Sequence, residues 1–587
     1  VYMYNKTDEP YNVYWDDNLF GDPSAAPLLR RIHVGVVNNT WIPNSSTVVS
    51  LRYGQTSFID DCGIAITEFD PSTLGFASSF TNDITLNKHP RINMDDYGEV
   101  NVNTIGTSSF TAIDWNSWGF NGALSKLLGS HTFKIGADYR WIGVTTTPFG
   151  QASGNFTFSR RSTASAGGAG GNDLASLMLG VPTTGSADIA ATSTYFTNYY
   201  GAYIQDDWRL RSNFTLNYGL RIEHEDGLME ENDQFTVGFD QELVSPLSGR
   251  APGLAAVRGS NEIRGGLMYA GVDGNNSYQG DPPAVKVSPR VGVVYSITPK
   301  AVLRGGYGMF WAPWNYQFPG TTNYGNIGYS FTSTMQPNDP SGVPVTLLHN
   351  PFPGGLTQPT GNTLGALTGV GNDIDVIDQN KKAPYVQQMS ADFQYQLTDT
   401  VAVSAGFAHA RGDNLGLGGT LDAIVNINQI RPEVAANFTP AQLLQRVPNP
   451  FFGVAGFGAL SGSATIERGQ LLRPFPQFGN INIRQSTLGK SRYNALFAIL
   501  QKRLSGGLNF TTSYTLSKAE DTSTDQQSTI LVVDAVLSGE TGLELGGGRL
   551  AWAAGAQYRD SSYESRYSDL NNLSVTPCVN SISTVRV

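Results

Sequence analysis

The sequence predicts an all-β chain, a transmembrane antiparallel up-and-down β-barrel. Three observations predict it. Apolar and polar residues alternate along many segments, which puts them on opposite faces of a strand. Short turns recur between those segments. Charged residues make up only 15% of the chain, against roughly 25% in an ordinary soluble domain.

The clearest segment is Tyr199 to Glu223, which reads as two strands joined at Arg211-Ser212-Asn213. On the first, Tyr200, Ala202, Ile204, Trp208 and Leu210 share a face that is apolar except for Asp206. On the second, Phe214, Leu216, Tyr218, Leu220 and Ile222 oppose Thr215, Asn217, Gly219, Arg221 and Glu223. Each arm holds roughly 9–11 alternating residues, the length that a tilted strand needs to cross a bilayer.

In chain order, further short turns are expected at 43–46, 128–131, 298–300, 398–400, 505–507 and 546–548. After the second of these, Phe133, Ile135, Ala137, Tyr139 and Trp141 oppose Thr132, Lys134, Gly136, Asp138 and Arg140. Similar alternation runs over 388–397 and 508–517. Most turns lie roughly 80 to 110 residues apart, far more than two strands need, so the surplus falls in long connections at the opposite end. These are 63–110, 228–284, 315–383 and 414–480, rich in Gly, Pro, Asn and Ser. Short periplasmic turns and long extracellular loops are the expected arrangement, with about 14 to 16 strands visible.

A soluble barrel alternates too, with its apolar face inward. A barrel of this many strands is too wide for side chains to fill, so an apolar lining would face water. Tryptophans also gather where strands would leave the hydrocarbon: Trp41 and Trp208 near turns, Trp141, Trp311 and Trp314 at the far ends. That is an interfacial girdle. The mean hydropathy of −0.21 looks soluble because a strand with one oily face averages out. No run of about 18 apolar residues occurs, which excludes a transmembrane helix.

The net charge of −11 and the lack of a basic stripe argue against a nucleic-acid partner. The six histidines are scattered, no HExxH or CxxC spacing occurs, and no cofactor or enzyme is expected. Cys62 and Cys578 are read as incidental rather than as a disulfide. The acidic residues Glu223, Glu225, Asp226, Glu230, Glu231 and Asp233 read first as a solvated loop base. Glu225, Asp226, Glu230 and Glu231 are the one candidate Ca²⁺ site, since hard cations take several carboxylate oxygens. Tyr316, Phe318, Tyr324 and Tyr329 are candidate ligand-gripping aromatics on an extracellular loop. Lys134, Asp138, Arg140, Arg221 and Arg304 fall on the polar face and are expected to line the lumen.

Several segments together resemble the Oar-like TonB-dependent receptors of the Gram-negative outer membrane. They include Phe69 to Phe76 (FDPSTLGF), His131 to Arg140 (HTFKIGADYR), Asp173 to Pro182 (DLASLMLGVP), Tyr200 to Glu223, Ser288 to Gly292 (SPRVG), Arg473 to Phe478 (RPFPQF) and Tyr493 to Lys518. The resemblance implies a 22-stranded barrel filled by a plug and energised through TonB–ExbB–ExbD. It also implies uptake of an extracellular ligand at the cell outer membrane. No plug segment precedes the first strand here, so the chain is read as an incomplete barrel, with 1–525 the receptor-like portion. Residues 526–587 are similar to another receptor branch. A passive porin-like channel, or a surface adhesion protein anchored by the barrel, are the alternatives.

Overall fold

A computed structural model describes residues 1–9, 28–62, 69–95, 104–106, 111–165, 168–313, 325–338, 344–416, 425–505, 508–522, 526–545 and 548–565. Its main feature is a 16-stranded sheet, of which fifteen strands follow one another in chain order. They are β1 (Tyr2–Glu9), β2 (Leu28–Asn44), β3 (Thr47–Cys62), β4 (Thr111–Leu128) and β5 (His131–Pro148). Next come β6 (Ser193–Arg211), β7 (Phe214–Glu225), β8 (Lys286–Thr298), β9 (Ala301–Trp311) and β10 (Tyr385–Gln396). The last five are β11 (Val401–Leu415), β12 (Gly489–Ser505), β13 (Leu508–Asp521), β14 (Gln526–Leu545) and β15 (Gly548–Ser565). Each pairs antiparallel with the next, the up-and-down order expected. Among the described residues no ladder joins β1 to β15. Among the described residues no helix is long and apolar enough to cross a membrane.

The turns fall where alternation breaks. Two residues separate β2 from β3, β4 from β5, and β6 from β7. Gly129 takes a φ of +61° in the second of these, a left-handed backbone that a β-carbon disfavours. The first and third turns have no such residue and carry a register shift beside the turn instead. The arms of the central hairpin are longer than a bilayer span: β6 has 19 residues and β7 has 12. The alternating apolar stretch marks only the part within lipid, and backbone pairing continues past it into water. The connection from β13 to β14, which is not among the expected long loops, is only residues 522–525.

Polarity across the sheet is inverted relative to a soluble barrel. Leu51, Ile204, Leu220, Phe393 and Leu496 are exposed, and each belongs to the face that the alternation marks as apolar. Such a face is stable only against lipid. Trp41, Trp208, Trp141 and Trp311 share it. Trp208 stands beside Leu216 near a turn, and Trp311 beside Tyr385 at a loop end; Trp314 lies outside the described residues.

The long connections carry structure of their own. Those after β7, β9 and β11 build a common apolar core around Phe239, Leu254, Tyr269, Phe457, Phe475 and Phe478. Those after β3, β5 and β9 build a second around Phe76, Phe80, Phe156, Phe158 and Phe352. A third cluster, including Val144, Tyr195, Phe235 and Val237, ties this loop body to the upper ends of β5 and β6.

Candidate functional site

The candidate functional region comprises the polar face of the wall and the loop body above it. On the polar face, alternation carries Asp138 on β5, Tyr199 and Tyr203 on β6, and Arg221 and Glu223 on β7. The Arg221 guanidinium donates to Asp138 at 2.8 Å, to Glu223 at 2.5 Å and to the Tyr199 hydroxyl at 2.7 Å. Tyr199 in turn donates to Glu223 at 2.5 Å. Arg140 lies 3.3 Å from the other Asp138 oxygen, a charge contact that is not aligned as a hydrogen bond.

Arg221 reaches Asp138 across an intervening strand, and Gly201 makes that possible. A β-carbon there would collide with the guanidinium and lie 2.8 Å from the carboxylate. The gap in β6 thus couples β5 to β7 through side chains as well as backbone.

Of the five expected lumen-lining residues, Asp138, Arg140 and Arg221 meet in this network. Lys134 stands apart, paired with Asp207 at 3.0 Å. Arg304 lies on the same polar face but several strands away on β9, held by Asp392 at 3.2 Å and Gln394 at 3.0 Å. These charges are matched by neighbours in the wall. The sequence offers no role for Tyr199 and Asp207 and groups Glu223 with the acidic loop base; their polar-face parity beside a cation was the available signal.

The acidic group at the head of β7 is dispersed. Glu225 is buried and accepts from the equally buried Lys286 at 2.8 Å. Glu230 is buried and accepts from the backbone N–H of Thr194, Asn232 and Gln234. Asp226 accepts from Asn198 and bonds His224, while Glu231 is exposed. The picture of a solvated loop base therefore fails for Glu225 and Glu230, because the folded loops cover them and supply partners. Among the described residues no group of three His, Cys, Asp or Glu side chains is placed to hold a metal ion.

Of the candidate aromatics, Tyr316, Phe318 and Tyr324 lie outside the described residues, as does Cys578. Tyr329 packs at the edge of the loop core, its ring centroid 6.0 Å from that of Tyr269. Burial holds its hydroxyl above the usual tyrosine pKa.

The loop body is pinned by the RPFPQF segment. Phe475 and Phe478 enter the core. Buried Asn428 donates to the Phe475 carbonyl and accepts from its N–H at 2.8 Å. Arg473 donates to the carbonyls of Asn428 and Gly479, and Gln477 to that of Arg264. Polar side chains thus satisfy backbone groups that irregular chain would otherwise bury unpaired. In the second body, Asp70 caps a short turn and Asn172 caps the helix Asp173–Met178.

A wall with an exposed apolar face, a charged inner face and structured loops at one end defines an outer-membrane β-barrel. The family model described as an outer membrane beta-barrel domain matches residues 1–542, and the chain belongs to that family. Its place is the bacterial outer membrane. No curated protein matches it in sequence. Among solved structures it is similar to the outer membrane transporter YddB from Escherichia coli (TM-score 0.44, 9% identity, 96% of this chain and 59% of that one). It is also similar to the siderophore receptor PiuA from Acinetobacter baumannii (0.36, 11%, 96% and 64%). A third is the ferric yersiniabactin uptake receptor FyuA from Yersinia pestis (0.36, 9%, 97% and 60%). The chain thus spans about three fifths of the length of these structures.

Proposed function

We propose that this barrel takes up an extracellular ligand in the manner of TonB-dependent receptors, with the loop body as the selective element. The observation that carries the reading is the pooling of three separate connections, after β7, β9 and β11, into one apolar core. Loops that only link strands have no need to bury phenylalanines together. A shared core fixes loop geometry at the mouth, and preorganised geometry is what selective binding needs. The family and the transporters to which the chain is similar support the same reading. Tyr316, Phe318, Tyr324 and Tyr329 are the proposed ligand contacts, and the charges around Asp138 and Arg221 the proposed inner-face contacts for a plug. Coupling would run through that plug to TonB–ExbB–ExbD.

The test is accumulation of labelled ferric siderophore, oligosaccharide and peptide by cells with and without the gene. Uptake that needs the gene and stops on adding a protonophore supports the proposal. Uptake that persists without proton-motive force makes the barrel a passive channel. Binding to cells or matrix, with no uptake defect on deletion, makes it an adhesion protein.

A further inference from the structure

On the outer face of β10 to β13 the polarity reverses toward the loop ends. Phe407, Leu496 and Leu516 form one outward row across β11, β12 and β13. The next outward row is Met389, His409, Asn494 and Lys518, and the one beyond it Gln387, Arg411, Arg492 and Glu520. Lys490 follows on the same face of β12. These residues border a recess of about 370 Å³ lined by His409, Arg411, Asp413, Lys490, Arg492 and Glu520.

The height of the recess is set by aromatic residues. Trp311 packs against Tyr385 at 5.0 Å, and Tyr385 lies directly beside Asp413 in the register. Tryptophan and tyrosine favour the level where hydrocarbon gives way to headgroups. A cation on a lipid-facing wall costs about 2–4 kcal/mol at the midplane and about 0–1 near the interface, so this level tolerates the charges.

Some of the charge is matched internally. Asp413 holds Arg411 at 2.9 Å, and Glu520 holds Lys518 at 2.6 Å. Both Lys490 and Arg492 are exposed, and among the described residues neither has an ion-pair partner. They face lipid, so a solute passing through the lumen does not meet them. An anion at headgroup height does.

We propose that this recess binds the phosphate of a phosphorylated lipid headgroup in the leaflet on the loop side, with Arg492 and Lys490 as its ligands. The arginine fork matches phosphate oxygens in pairs, and the lysine adds a point charge. Arg411 and Lys518, fixed by their carboxylates, flank the site without being needed to hold the anion. The site is independent of the transport reading, since it faces away from the lumen.

The experiment titrates the purified, delipidated protein in detergent with diphosphorylated lipid A, bound lipid being read by native mass spectrometry. Wild type should retain the lipid. The double variant Lys490→Gln with Arg492→Gln should bind about tenfold more weakly, the loss expected of removing charge-assisted contacts. Arg503→Gln, at the opposite end of β12, should bind as wild type does, and Lys490→Arg with Arg492→Lys should keep most of the affinity. Heat-modifiable migration in gels shows that each variant is folded. Unchanged binding by the double glutamine variant overturns the proposal, as does equal binding of the dephosphorylated lipid. Displacement of the lipid by inorganic phosphate alone would make the site one for free anions and would also overturn it.

Discussion

The strand wall and the loop body bury their apolar residues in opposite senses. In the wall, Ile204 is 51% and Leu496 57% exposed, while charges such as Asp138 and Arg221 are drawn together on the other face. In the loop body, Phe457 and Phe478 are fully buried and the polar side chains serve backbone groups. One region is solved by lipid, the other by water. The same chain meets both solvents because a strand needs only a period of two to change face, whereas a core needs residues from distant connections.

The sharpest separation of the two regions is a cavity in the loop core. Phe478→Ala should cost the loop body about 3–5 kcal/mol, the usual range for a buried phenylalanine. Limited proteolysis should then cut within 425–488 while the barrel keeps its heat-modifiable migration. Simultaneous loss of both would mean that wall and loops fold as one unit.

A charge on the wall reads its lipid face by depth. Leu220→Arg, opposite Ile204 near mid-strand, should cost about 2–4 kcal/mol of folding into lipid vesicles, and Leu216→Arg, opposite Trp208, about 0–1. Asn217→Arg on the polar face should resemble the second. A flat profile across the three sites would remove the lipid assignment.

The polar face has its own test at Gly201. Ala at this position should displace Arg221 from Asp138 and cost about 1–3 kcal/mol, the range for a broken hydrogen bond to a buried charged group. Chemical denaturation in detergent would show it, with Gly35→Ala, which meets nothing within 4 Å, as the neutral reference. Equal stability of the two variants would mean that the crossing ion pair is dispensable.

The smallest effect is a pH slope confined to the loops. Burial holds the Lys88 ammonium down to about 7, from an ordinary lysine value near 10.5. Between those values the unfolded chain binds the extra proton, so stability of this loop body rises as pH goes from about 7 toward 10. Below that window the lysine is charged in both states and the slope vanishes. Protease resistance of the segment 69–95 should therefore increase from pH 7 to 9, and Lys88→Met should flatten the trend. A slope unchanged in the variant would assign it to another group.

How far the sequence could be read follows from the range of each interaction. The parity of Tyr200, Ala202, Ile204 and Leu220 is a local property, and it placed the strands, the turns and the lipid face without any partner. The Tyr199 to Glu223 hairpin was legible for this reason. The grouping of Asp138 with Arg221 was half legible: parity put both on one face, but only the register of β5, β6 and β7 brings them within 2.8 Å across Gly201. Glu225 and Glu230 looked like open acids because nothing nearby in sequence announces Lys286 or the Thr194 amide.

What the sequence by itself determined is thus the membrane wall, since alternation and turn chemistry act over a few residues and fix which side chain faces lipid. What only the tertiary structure decided is the loop body. Its composition of Gly, Pro, Asn and Ser reads as irregular chain. Burial of Phe239 against Phe475 and Phe478, and of Phe80 against Phe352, joins segments more than 200 residues apart. No local periodicity encodes such a contact, because loop-closure entropy is met only once the strands have already brought the connections to one end of the barrel.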